Sequence, residues 1–208
     1  MTRIVWGRAT SSNVMKVLWG LGELGQPFER IDVGGAFGKT DTPEYRAMNP
    51  TGLVPTLQEE SFALWESNAI LRYLGQVHAS GTALWPADAQ ARAKIDHWMD
   101  AQQTVLNRPM GGVFWGLVRT PPDKRDMAAI KKAAVDAGKL FGRLDAHLAD
   151  RRYVAGQHFT MGDIPVGCFV HRWYALEIER PELKNLRTWY DRLATRPAYA
   201  KHIMVKLT

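Results

Sequence analysis

Cys168 is the one cysteine in the chain. A single thiol forms no intramolecular disulfide and no Cys-x-x-Cys redox pair. It lies in the apolar run Ile164-Pro165-Val166-Gly167-Cys168-Phe169-Val170, where a thiol is expected to be buried and inert. The six histidines are scattered. They show no His-x-x-x-His spacing and no paired carboxylates, so no metal is expected. The remaining chemistry is that of hydroxyls and amides where helices begin. Thr10-Ser11-Ser12-Asn13 precedes one run of helical spacing, and Glu66-Ser67 opens another. Such side chains cap the free N–H groups of a first helical turn. Pro55 stands near the start of a strand-like run, a place where proline needs an edge or a special backbone position.

The elements around these residues follow from hydrophobic spacing. Ile4-Val5-Trp6 reads as a first strand. Val14, Val17, Leu18 and Leu21 recur at i, i+3, i+4 and i+7, one face of a helix, which Gly25-Gln26-Pro27 ends. Residues 28–33 suit a second strand. The glycine-rich loop 34–38 lacks the placement of a dinucleotide fingerprint. Thr42 and Pro43 read as the N-cap and first position of a short helix. Val54 to Leu57 and Phe62 to Trp65 form a hairpin across Glu59-Glu60-Ser61, and Ile70, Leu71, Leu74 and Val77 mark the next helix. The order is β-α-β-α-β-β-α up to residue 78. A linker over 80–86 follows, and then helices over 87–107, 122–149, 162–176 and 183–194. Thr160-Met161-Gly162-Asp163 is a capping-box arrangement with Asp163 in place of glutamate. An α/β domain over 1–79 and an all-α domain over 87–208 are therefore expected.

The totals are consistent with two small domains. The chain has 208 residues, 46% apolar and 23% charged, which is ordinary globular composition. The net charge of +6 raises nucleic acid as a partner. However, the basic residues are dispersed and no recognition motif accompanies them, so that class is set aside. Residues 1–7 lack a signal peptide, and no apolar run is long enough to span a membrane. A cytoplasmic protein without membrane contact is expected.

Asn49-Pro50-x-Gly52-x-Val54-Pro55-x-Leu57, followed by Leu64-x-Glu66-Ser67-x-Ala69-Ile70-x-x-Tyr73-Leu74, closely resembles the glutathione-site stretch of glutathione S-transferases. Phe159-Thr160-x-x-Asp163-Ile164 in the helical half resembles the same family. The resemblance implies a thioredoxin-like N-terminal domain, a helical C-terminal domain and glutathione as co-substrate. It implies that Val54, before a cis Pro55, pairs its backbone with the cysteinyl group. Ser67 and the N–H groups at the positive helix end would hold the γ-glutamyl carboxylate, and Glu66 would accept from the α-ammonium. Leu53 stands where many members carry Lys, Arg or Gln toward a glutathione carboxylate, so Lys39 is the candidate for the glycyl end.

The same resemblance points to the residue that activates the thiol. Family members place a tyrosine, serine or cysteine just after the first strand. Here Ser11 holds that place, beside Thr10 and Ser12. A hydroxyl donating to the sulfur favours thiolate over thiol, and the thiolate then attacks an electrophilic carbon. Asn13 is a second candidate, because Ser11-Ser12-Asn13 is similar to the Thr-x-Asn pair of the nu class. That similarity keeps glutathione-dependent disulfide or peroxide reduction as an alternative, with a non-catalytic scaffold as a third reading. A pocket for a small hydrophobic electrophile is expected between the domains. Its expected lining is Arg8, Arg108, Met110, Phe114 and Trp115, with Arg119 nearby. The resemblance also implies a detoxifying role and a homodimer, with Trp65, Arg72, Trp98, Met99 and Asp100 as candidate contacts.

Overall fold

The computed structural model describes residues 3–208. The N-terminal domain runs β1 (Arg3–Trp6), α1 (Ser12–Glu23), β2 (Glu29–Ile31), α2 (Pro43–Met48), β3 (Thr56–Glu59), β4 (Phe62–Trp65) and α3 (Ser67–His78). The sheet order is β2-β1-β3-β4. β1 and β2 are parallel, while β3 is antiparallel to both β1 and β4. Thr42 caps α2 through the Tyr45 N–H, with Pro43 in the first turn, as its sequence suggests. This is the thioredoxin-like arrangement that the family resemblance implies.

The second domain contains α4 (Ala89–Ala101), α5 (Asn107–Phe114), α6 (Met127–His147), α7 (Asp163–Ala175), α8 (Lys184–Ala194) and α9 (Pro197–His202). Sequence spacing ends the first of these helices at residue 107. In the structure the helix continues to Arg119. It passes through wide π turns at Gln102–Leu106 and Trp115–Arg119 that flank α5. Pro109 thus lies inside a helix, three residues beyond a π turn. Such turns take up the geometry that a proline ring and its missing N–H disturb. The short α9 gave no clear periodic signal.

α1 joins the domains because both its faces are covered. Val14, Val17, Leu18 and Leu21 pack with Val5, Leu57, Ile70 and Leu74 in a core between α1, α3 and the sheet. Met15 and Trp19 point the other way, into the larger core of the helical domain. A Cβ at Gly167 would lie 3.0 Å from the Trp19 ring, so only glycine lets α7 approach this closely. Trp19 also donates to Glu23, which holds Arg196 at 2.8 Å. Cys168 lies in this contact, and burial pushes its thiol up to about 12, which keeps it inert.

Asp163 ties α7 to the loop before it and to α8. Its fully buried carboxylate accepts from the Val154 N–H, the Thr160 N–H and hydroxyl, and the Trp189 indole, all within 2.9–3.1 Å. Burial pushes its pKa up to about 6, while these donors pull the other way. Removing the side chain leaves all of these donors buried without an acceptor. Asp163→Ala is therefore expected to lower stability by about 3–5 kcal/mol in urea unfolding. A loss below about 1 kcal/mol would mean that water replaces the carboxylate.

Candidate functional site

Strand register brings the chemistry-bearing residues to one edge of the sheet. Trp6 pairs with Thr56, and Thr56 pairs with Trp65. The end of β1, the start of β3 and the end of β4 are thus level. The first leads into the turn before α1, the second follows the cis Val54–Pro55 bond, and the third leads into α3. Two helix N-termini consequently open at the same edge. Met15 is the first α1 residue bonded to a carbonyl of the turn, that of Ser11. The N–H groups of Ser12, Asn13 and Val14 therefore precede the intrahelical ladder. In α3 the first such bond is Ile70 to Glu66.

Ser11 occupies the N-cap position of α1, yet its side chain makes no cap hydrogen bond. By contrast, Thr42, Asp88 and Asp126 each cap their helices through the side chain. Ser11 is instead nearly buried in the wall of a cavity of about 360 Å³. Arg8, Thr10, Ser12, Asn13, Gly34, Gly35, Thr40, Gly52, Leu53 and Val54 line its sheet-domain side. Asn107, Gly111, Phe114, Trp115 and Arg119 from the long helix, with Arg172 from α7, line the other. No Asp or Glu is among them. Trp115 and Leu53 stand at its rim, each 65% exposed. Burial pushes Arg172 down to about 10, and the nearby charges of Arg119 and Arg8 add to the effect.

The site also contains strain. Glu66 adopts φ 68°, a left-handed conformation that costs a non-glycine residue about 1–3 kcal/mol. It turns the chain from β4 into α3 and remains exposed, while Ser67 behind it is buried.

With this geometry in view, similarity to known proteins is informative. Residues 10–77 match the model of the glutathione S-transferase N-terminal domain, and residues 127–192 match that of the C-terminal domain. Glutathione S-transferase GstB of Escherichia coli is 40% identical over 206 residues, covering 98% of this chain and 99% of its own. The chain belongs to the glutathione S-transferase family. A theta class transferase of Xanthomonas axonopodis pv. citri, solved with glutathione bound, superposes with a TM-score of 0.95. It is 49% identical, with 100% of this chain and 99% of that one covered. Glutathione S-transferase 3 of Zea mays is 31% identical, covering 96% of this chain and 92% of its own.

In this transferase-family chain the residues named from the sequence separate into groups. Ser11, Asn13, Leu53, Val54, Arg8, Phe114, Trp115 and Arg119 share the cavity. Asn13 is the second helical residue and not a cap. Pro55, Glu66 and Ser67 stand on the same sheet edge outside the cavity lining, and exposed Lys39 is replaced in the lining by Thr40. Arg108 and Met110 do not line the cavity. Asn107, Gly111, Phe114 and Trp115 recur at helical spacing on one face. Arg108, one residue out of register, faces a separate groove of about 650 Å³ between α5 and α6, and Met110 points into the core. Met99 is likewise fully buried and is no surface contact. Arg72 bonds Asp96 at 2.7 Å and Asp100 at 2.5 Å within the chain. Among the described residues no three metal-ligating side chains converge, and no helix is long and apolar enough to cross a membrane.

Sequence reasoning missed Lys16 and Arg172. Lys16 is fully buried among the apolar residues of α1. Its ammonium donates to Gln102 Oε1 at 2.6 Å and to Ser67 Oγ at 3.4 Å, linking the start of α3 to the π turn of the long helix. A lysine between Met15 and Val17 is the signal that marked it. Burial lowers its pKa from 10.5 to about 8. Between these values the unfolded chain binds a proton that the folded chain does not, so folding gains as pH rises through the window. Below pH 8 both forms are protonated and the contribution is flat. The stability of the wild type relative to Lys16→Met is therefore expected to increase from about pH 8 to pH 10 in denaturant titrations. A difference that stays level would show that the buried amine titrates as it does in water.

Proposed function

We propose that the chain conjugates glutathione to electrophilic small molecules, with Ser11 holding the thiol sulfur as a thiolate. The observation that carries this reading is the Ser11 hydroxyl. It is unspent on capping, at a helix N-terminus, in the wall of a cavity between the domains. A donor in that position stabilises charge on sulfur, and the helix dipole adds to it. The Asn13 amide, on the same first turn, is a second donor toward the sulfur. The γ-glutamyl carboxylate meets the N-terminus of α3 and Ser67, with Lys16 beneath the hydroxyl. Glu66 accepts from the α-ammonium, Val54 pairs with the cysteinyl backbone, and the glycyl end lies toward Leu53 and Lys39. This disposition follows the family resemblance, and glutathione as the ligand is supported by the similar Xanthomonas transferase, which was solved with glutathione bound.

The reaction needs little else from the protein. The thiolate sulfur gives its electron pair to the electrophilic carbon, and the leaving group departs with the pair that bound it. Phe114 and Trp115 offer an apolar wall for the body of the electrophile. We infer from the family resemblance a cytoplasmic detoxification role and a symmetric homodimer. Light scattering is expected to give twice the chain mass, and a monomer would remove the dimer.

The activating role of Ser11 is tested by calorimetric titration of glutathione into wild type and Ser11→Ala, with ultraviolet absorbance of the bound thiolate. Both are expected to bind within a few-fold of each other. Thiolate absorbance is expected from the wild type alone, and turnover should fall roughly 10²-fold in the variant. Equal thiolate in both would transfer the role to Asn13, and binding by neither would leave a fold without this activity.

A further inference from the structure

The cavity contains a concentration of positive charge that thiol activation does not use. Arg8 follows β1, Arg119 ends the long helix and Arg172 lies on α7, and all three line the cavity with no carboxylate among them. No ion pair among the described residues involves any of the three. The Nε atoms of Arg8 and Arg172 are buried without a hydrogen-bond partner. Arg172 is 8% exposed, and its guanidinium lies 3.9 Å from the centre of the Phe114 ring. Arg119 approaches the same ring at 5.8 Å.

Arg8 and Arg172 are at least partly buried and Arg119 is exposed, and such unpaired charges of one sign in one cavity oppose folding unless a counter-charge arrives. Guanidinium groups suit carboxylates and related oxyanions, which they bind through paired N–H donors. In the reading above, both glutathione carboxylates have sites elsewhere, at the start of α3 and beside Lys39. The arginines are then left for the second substrate. We propose that this electrophile is an acid: a small molecule with an apolar body against Phe114 and Trp115 and an oxyanion held by Arg8, Arg119 and Arg172. This rests on the transferase reading.

A matched pair of substrates tests it. para-(Bromomethyl)benzoate and para-(bromomethyl)benzamide share the reacting carbon and differ in charge. In each, a carbon–sulfur bond forms and bromide leaves with the carbon–bromine pair. At saturating glutathione the wild type is expected to prefer the acid at least about tenfold in kcat/KM, and Arg119→Met and Arg172→Met are expected to bring the ratio toward one. Arg119 is exposed, so its variant keeps the test open if the buried Arg172 variant fails to fold. No acid preference in the wild type overturns the proposal. So do variants that keep the ratio while raising the KM for glutathione, because the arginines then hold a glutathione carboxylate. If neither bromide is conjugated, the transferase reading falls, and binding of unreactive para-toluate decides the arginine site by itself. Tighter binding by wild type than by Arg119→Met sustains an acid site, and no binding removes it.

Discussion

Helix α1 is enclosed on two sides. Val14, Val17, Leu18 and Leu21 meet the sheet core, and Met15 and Trp19 meet the helical domain. Close approach at Gly167 fixes how near α7 can come. Because α1 cannot shift without opening both cores, its N-terminus is a fixed point. The turn carrying Ser11 inherits that rigidity. The register Trp6–Thr56–Trp65 then sets the cis Val54–Pro55 bond and the start of α3 at the same sheet edge. The site is thus positioned by strand pairing on one side and helix packing on the other.

Several departures from local preference gather here. Ser11 stands at a cap position without capping, Glu66 holds a left-handed backbone, and Lys16 is a fully buried cation under Ser67. Elsewhere Thr42, Asp88 and Asp126 cap their helices, and Asp163 satisfies a buried set of donors. Local exceptions held in place by a well-packed surround are the expected mark of a working site.

Charge is also unevenly used. Surface lysines and arginines such as Lys132, Arg151 and Arg187 are paired with nearby carboxylates. Arg8 and Arg172 in the cavity are not, although burial penalises an unpaired cation more than exposure does. The net charge of +6 is therefore less informative than where the uncompensated part of it lies.

The sequence by itself determined the two-domain architecture, because hydrophobic spacing and turn residues are local signals. The 49–74 stretch was also legible, because an extended motif keeps its order and spacing along the chain. Val54 could be named from it, and Ser11 and Asn13 from the place that the family resemblance gives the thiol partner after the first strand. Which residues of 107–119 face the cavity was decided by the tertiary structure alone. Once packing turns Phe114 and Trp115 to the cavity, the regular α5 spacing carries Asn107 and Gly111 there with them and turns away Arg108 and Met110, which had been expected to line it. Lys16 and Arg172 were hidden for a related reason. Each is a charge within an apolar run, and sequence spacing records that a face is buried without recording what it is buried against. Only the packing of α1 on α3 brings Lys16 to Ser67, and only that of α7 on the long helix brings Arg172 to Phe114 and the company of Arg8 and Arg119.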